Sequence, residues 1–227
     1  MDKKKKYIPE VESKLRSRLV KVPPAIYEAS GIKILGRRIK SLLYTTDIAI
    51  VRNNNADSII AVYPFTPQLS IMQSMIDGAS VPVFTGVGGG VTTGSRAINI
   101  GLQAELMGAY GVVVNAPMRN DVIKAIATNV DVPIIATVVA FEDDFMGKIH
   151  AGASILNISG GKNTTELVKK IRARIGDEFP IIATGGGSEE NILRTIEAGA
   201  NAITYTPPSS AELFSQIMDS YRNDLKE

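Results

Sequence analysis

Short apolar runs rich in valine and isoleucine recur along the chain at residues 39–45 (IKSLLYT), 58–65 (SIIAVYPF), 81–87 (VPVFTGV), 111–116 (GVVVNA), 132–139 (VPIIATVV), 154–160 (SILNISG), 180–186 (PIIATGG) and 202–207 (AITYTP). Apolar side chains fill nearly every position of these runs instead of alternate ones. That pattern predicts strands covered on both faces, the kind found in parallel sheets. Between the runs, apolar residues return every third or fourth position at 67–79, 95–108, 120–130 and 163–176, as an amphipathic helix requires; the stretch 46–57 carries the shortest such pattern. Strict alternation of eight strands with helices, in one composition regime, predicts a single α/β domain closed as a (β/α)8 barrel. The barrel is expected to span residues 39–227. Residues 1–38 are expected to form a basic helix and hairpin extension packed on it, with IKIL and RRIK pairing about Gly36 across the amino-terminal mouth.

An internal repeat supports the unit count. PIIAT begins at Pro133 and again at Pro180, and AGA begins at Ala151 and again at Ala198, so two βαβα units share one register. Superposition sets Asn157 over Thr204 and Glu142 over Glu189. It also sets Val138, Val139 and Ala140 over Gly185, Gly186 and Gly187, so the glycine trio belongs to the second copy alone. A looser third copy starts at Pro82 and brings Asn115 into the same column. Polar side chains in apolar strands are costly unless paired, so Asn115, Asn157 and Thr204 are expected to face the barrel interior near its ligand end.

The glycine trio lies where a strand's carboxyl end meets a helix whose N-cap is Ser188 and whose first turn holds Glu189 and Glu190. Backbone N–H groups in such a bend can approach a ligand without Cβ interference, and the helix start favours an anion. A tight βα turn is the competing explanation. The loop GVGGGVTTGSR, containing Gly88, Gly89 and Gly90, falls at another strand's carboxyl end and reads as a lid, a pyrophosphate cradle or a flexible connection.

Composition narrows the chemistry. The chain has no cysteine and one histidine, His150, which removes disulfides, thiolate nucleophiles, the common zinc sites and a Ser-His triad; no metal ligand set is assigned. No apolar stretch reaches the roughly 20 residues of a membrane helix. MDKKKK is not followed by an apolar segment of signal-peptide type, so a cytoplasmic protein is expected. The net charge of +2 hides an asymmetry: residues 1–40 hold 12 Lys and Arg against 4 Asp and Glu. KKKK without interleaved aromatics reads as a solvated terminus and not as a nucleic-acid site.

The segment PIIATGGGSEENILRTIEAGANAI resembles the seventh strand, phosphate loop and eighth strand of the phosphate-binding (β/α)8 TIM barrels. Those include quinolinate phosphoribosyltransferase, ketodeoxyphosphogluconate aldolase and the FMN-dependent oxidoreductases. GIKILGRRIKSLLYTT is similar to the opening of thiazole synthase and dihydroorotate dehydrogenase, and the whole chain resembles bacterial barrel proteins that carry a loose hydrolase label. The resemblance implies a phosphate held by Gly185, Gly186, Gly187 and Ser188 together with Ser209 and Ser210. The chain departs from it after the last strand, where TYTPPSS replaces the usual Val-Gly-Ser or Val-Gly-Thr turn.

Barrel active sites lie at the carboxyl ends of the strands. Asp47 and Glu142 are there as candidate general acid and base. Lys162, in SGGKNTTE just past the sixth strand, is a third catalytic candidate: it stands near where Schiff-base aldolases carry their lysine, with a contact to phosphate or carboxylate and a solvated loop lysine as the simpler readings. Arg119 is a further pocket candidate. Glu142, Asp143 and Asp144 either hold Mg²⁺ through oxygen or simply open a helix. The expected function is an enzyme acting on a small phosphorylated metabolite by acid–base catalysis: a lyase, isomerase or synthase, with hydrolysis open. The alternatives are an FMN-dependent oxidoreductase and a non-catalytic regulator that binds a phosphometabolite; a homo-oligomer is compatible with each.

Overall fold

All eight apolar runs form strands in the computed structural model, which describes residues 19–224 together with Tyr7, Pro9, Val11 and Ser13. A hairpin comes first, β1 (Ile32–Ile34) and β2 (Arg37–Ile39), antiparallel with Ile32 opposite Ile39. The repeating part follows as β3 (Ser41–Tyr44), α1 (Ile48–Arg52), β4 (Ser58–Ala61), α2 (Leu69–Gly78), β5 (Val83–Gly88), α3 (Gly94–Leu106), β6 (Gly111–Val114) and α4 (Asn120–Ala127). It continues with β7 (Ile134–Val138), α5 (Phe145–His150), β8 (Ile155–Ile158), α6 (Thr164–Ile175), β9 (Ile181–Thr184), α7 (Glu189–Glu197), β10 (Ala202–Tyr205) and α8 (Ser210–Asp224). Every neighbouring pair from β3 to β10 is parallel. β10 pairs with β3, Ile203 level with Ser41, and closes the sheet into the eight-stranded barrel of the TIM fold.

Alternate residues of a strand face opposite sides, so the β-branched runs feed two cores. Leu42, Ile60, Phe84, Val113, Ile135, Ile155, Ile182 and Ala202 pack inside the barrel. Leu43, Ile59, Val112, Ile134, Leu156 and Ile203 face outward and meet the helices, among them Val122, Ile123 and Ile126 of α4 and Leu167, Val168 and Ile171 of α6.

The hairpin seals the amino-terminal end. Ile32, Ile34 and Ile39 join the inner core beneath the strands, and the Tyr110 hydroxyl donates to the carbonyls of Ile34 (2.9 Å) and Leu35 (3.2 Å). Leu35 (φ 42°) and Gly36 (φ 86°) both take left-handed backbone, as the favoured two-residue hairpin turns demand. The last repeat anchors the hairpin: Asn201 Nδ2 donates to Ser30 Oγ (3.0 Å), and the Gly31 N–H donates to the Asn201 carbonyl (2.7 Å). Arg172 braces the same corner by donating to the Gly199 and Phe179 carbonyls and to Asn201 Oδ1.

Of the expected amino-terminal extension, the described part comprises a 3₁₀ turn at Pro24–Glu28 and the hairpin. The basic run KKKK lies outside the described residues. Among the described residues, no helix is long and apolar enough to cross a membrane.

Candidate functional site

In six of the eight strands the inward column changes character two residues beyond its apolar core; β4 and β5 continue with Val62 and Gly86. Leu42 is followed by Tyr44, Val113 by Asn115, Ile135 by Thr137, Ile155 by Asn157, Ile182 by Thr184 and Ala202 by Thr204. With Ser159 and Thr206 these polar groups wall a cavity of ≈ 320 Å³ at the carboxyl end of the barrel, floored by Ile60, Val62 and Val113. Asn157 Nδ2 donates to Thr137 Oγ1 (3.3 Å) and Thr184 Oγ1 to Ser159 Oγ (3.3 Å). Asn157 Oδ1 and Thr204 Oγ1 are buried without a partner. An unmet buried acceptor costs about 1–3 kcal/mol, and here the cost falls on atoms that line a cavity. The alignment of Asn115, Asn157 and Thr204 inferred from the repeat corresponds to a shared wall.

A second cavity, ≈ 330 Å³, lies beside the first and shares Thr184 with it. Gly185, Gly186 and Gly187 form one side; Lys162 in the 3₁₀ turn Gly161–Asn163, Thr164 and Thr165 at the start of α6, and Asn191 of α7 form the other. Each glycine is there for a different reason. A Cβ on Gly185 would come within 2.6 Å of Ile203 and 2.9 Å of Ile192, so close packing requires it; Gly186 has φ 74°; Gly187 has open space around it. The cavity is therefore flanked by the amino termini of α6 and α7, where backbone N–H groups lack intrahelical partners. Lys162 brings the one cationic side chain lining either cavity, and it is exposed. Ser188 caps α7 by accepting from the Asn191 N–H (3.3 Å), and it borders an outer groove with Tyr27 and Tyr205 instead of this cavity.

Other candidates are engaged elsewhere. Asp47 is the N-cap of α1, accepting from the N–H groups of Ala49 (2.9 Å) and Ile50 (3.4 Å). Hydrogen bonding from Ser210, first by its hydroxyl, holds the Asp47 carboxyl below its ordinary pKa. Ser209 and Glu212 form a capping box: Ser209 N–H and Oγ–H both donate to Glu212 Oε2 (2.7 and 2.8 Å), and the Glu212 N–H donates to Ser209 Oγ (3.2 Å). Ser209 thus spends its donors on Glu212, Ser210 interacts with Asp47, and the helix start after β10 already faces negative charge.

Glu142 lies in a separate depression with Phe141, Glu166 and Lys170, away from the barrel mouth. Asp143 accepts from Val139 and Ala140 N–H, and Asp144 caps α5 and accepts from Asn120 Nδ2 (2.7 Å). Among the described residues, no group of three or more His, Cys, Asp and Glu is placed to hold a metal ion. Arg119 is exposed and pairs with Asp121, Nε to Oδ1 at 3.0 Å. The Gly88–Gly90 loop turns on itself: Gly89 and Thr92 exchange two backbone bonds, and a Cβ on Gly89 (φ 139°) would lie 2.5 Å from Asn115 Cβ. This loop packs on Asn115 and walls a small ≈ 110 Å³ annex to the central cavity.

Tyr44, Thr137, Thr184 and Thr206 were not singled out from sequence, although the apolar-x-polar step at each strand end marks all but Thr206. Lys148 of α5 carried no signal at all. It is 4% exposed, and its ammonium donates to the carbonyls of Ala116 (3.0 Å) and Met118 (3.2 Å), holding the loop that follows β6. Burial lowers its pKa, and nearby Asp143 and Asp144 act the opposite way.

No protein-family model and no curated protein matches the chain. Solved structures do. A phosphonopyruvate hydrolase, solved with oxalate and Mg²⁺, aligns with a TM-score of 0.61 at 12% identity over 83% of each chain. A mandelate oxidase aligns with a TM-score of 0.63 at 14% identity, covering 78% of this chain and 68% of that one. A 4-hydroxy-tetrahydrodipicolinate synthase from Methylacidiphilum fumariolicum SolV aligns with a TM-score of 0.57 at 16% identity, covering 73% and 67%. Likeness at these identities extends to the fold: the chain shares the TIM-barrel architecture of three enzymes whose names denote different chemistries.

Proposed function

We propose that the protein is an enzyme acting on a small phosphorylated metabolite, whose phosphate sits in the cavity between the Gly185–Gly187 bend and Lys162. The rest of the ligand reaches past Thr184 into the polar barrel mouth. The observation that carries this reading is the shared wall at Thr184: the cavity beside the glycine bend and the polar cavity of the barrel mouth are contiguous, and both lie at the end of the barrel where TIM-fold enzymes place their chemistry. Lys162 and Tyr44 are the titratable groups that line the two cavities, so proton transfer falls to them and not to Asp47 or Glu142. The absence of any carboxylate or imidazole from that lining favours, as a second reading, a regulator that binds the same ligand without turnover. An FMN enzyme is supported less well, because no cation lines the central cavity to meet the negative charge a reduced flavin develops at N1.

Calorimetric titration with inorganic phosphate tests the anion site. Lys162 makes no hydrogen bond or ion pair among the described residues, so Lys162→Met should leave the melting temperature unchanged. It should weaken phosphate by about 10- to 100-fold, the worth of one charged hydrogen bond. Equal affinity in both proteins, or no affinity in the folded wild type, refutes the site. Following a panel of phosphorylated metabolites by ³¹P NMR then separates an enzyme, which converts the ligand it binds, from a regulator, which does not.

A further inference from the structure

The chemistry of the barrel mouth restricts what a phosphate could be attached to. We infer that the body of the ligand is a neutral, hydroxyl-rich chain of five or six carbons, so that the metabolite is a sugar or polyol phosphate and not a phosphorylated carboxylate or amine. This inference rests on the phosphate reading above only for the position of the charged end.

Three observations carry it. First, the ≈ 320 Å³ cavity is lined by hydroxyls, carboxamides and aliphatic groups, with no Lys, Arg, His, Asp or Glu. A carboxylate or ammonium drawn into it would give up hydration without meeting a counter-charge. Hydroxyls donate and accept alike, so they suit a partner that does the same. Second, two wall atoms are left wanting. Thr204 is 7% exposed and its Oγ1 has no partner, and Asn157 Oδ1 has none although its Nδ2 is already committed to Thr137. Both face a demand for ligand donors. Rotating the Asn157 carboxamide by half a turn exchanges the unmet acceptor for an unmet donor, and a neutral polar partner is still required. Third, at about 30 Å³ per water the cavity has room for about ten waters, which is space enough for a five- or six-carbon body, whose bonded atoms each take up less room than a separate water.

The test compares ribose 5-phosphate and glucose 6-phosphate with inorganic phosphate and with 3-phosphoglycerate, whose body carries a carboxylate. The comparison uses calorimetry on wild type and Thr204→Val. A sugar phosphate should bind at least about tenfold more tightly than inorganic phosphate or phosphoglycerate. Thr204→Val should remove about tenfold of that advantage while leaving inorganic phosphate affinity unchanged, one neutral hydrogen bond having been lost. Its melting temperature should not fall, because valine replaces a hydroxyl that had no partner. A role for Thr204 confined to the fold predicts the reverse: a lower melting temperature with sugar-phosphate affinity intact. Asn157→Leu, read by sugar-phosphate affinity alone because it also gives up the bond to Thr137, covers failure of the first variant to fold. Sugar phosphates binding no better than inorganic phosphate, or phosphoglycerate binding best, overturns the inference while the phosphate site stands. Thr204-dependent binding of free ribose without any phosphate affinity leaves the neutral body and removes the anion site. Binding of neither ligand sinks both.

Discussion

Asp47 offers a direct contest between a catalytic and an architectural role. Its carboxylate receives two N–H groups at the start of α1, and interaction with Ser210 at the start of α8 is the leading cause of its lowered pKa, so it links the first turns of two helices. Replacing Asp47 by alanine removes an N-cap, worth about 1 kcal/mol, and takes a negative charge from a second helix start, worth about 0.3–1 kcal/mol. The sum is about 1.5 kcal/mol, or about 3–6 °C in melting temperature for a chain of this size. The pH dependence has a fixed sign. The carboxyl titrates below its ordinary value of 3.8 when folded, so its contribution is fully present above the unfolded pKa and is lost as pH falls through the folded one. Urea melts of wild type and Asp47→Ala should therefore differ by a constant amount at pH 7 and pH 5, and the gap should narrow below pH 3.8. An unchanged midpoint at pH 7 together with a loss of turnover far larger than any loss of ligand affinity would refute the latch and restore Asp47 as a proton-transfer group.

Lys148→Met should cost about 2–3 kcal/mol in denaturant melts, because it strips the donor from two carbonyls of the loop after β6; no change would mean that water or a rearranged loop satisfies them. Thr85→Val should raise stability by about 1 kcal/mol, since the Thr85 hydroxyl, 1% exposed in the strand β5, has no partner; a drop in the melting temperature would show that the hydroxyl is bonded after all.

The barrel could be read from the chain because its determinants are local. Runs such as PIIAT and GVVV announce two-sided burial, and the repeat at Pro133 and Pro180 supplies the count. Asn115, Asn157 and Thr204 were reachable by the same logic, since a strand's register fixes which face each residue takes. The roles of Asp47 and Ser209 were not. An aspartate after a strand serves chemistry or a helix cap equally well in sequence, and only the approach of Ser210, more than 160 residues away, decides where its oxygens point. Glu142 sat at a strand end by count, yet Asp143 folds back onto the Val139 and Ala140 N–H groups, and Glu142 lines a depression outside the barrel mouth. Lys148 is the clearest omission: one lysine in a short helix reads as solvated, and its burial depends on carbonyls contributed by a neighbouring repeat.

With the hairpin beneath its strands, the barrel is a vessel with one door. The packed interior of Leu42, Ile60, Phe84 and their neighbours already closes the barrel. Ile32, Ile34 and Ile39, with the turn held by Tyr110, add a second seal at its base, so nothing can pass through from one end to the other. Whatever enters between the glycine bend and the loop after β5 must leave by the same route. Under the proposed function, arrival and departure are competing events: each new ligand waits for the previous occupant to clear, and solvent displaced from the mouth flows out against the incoming molecule.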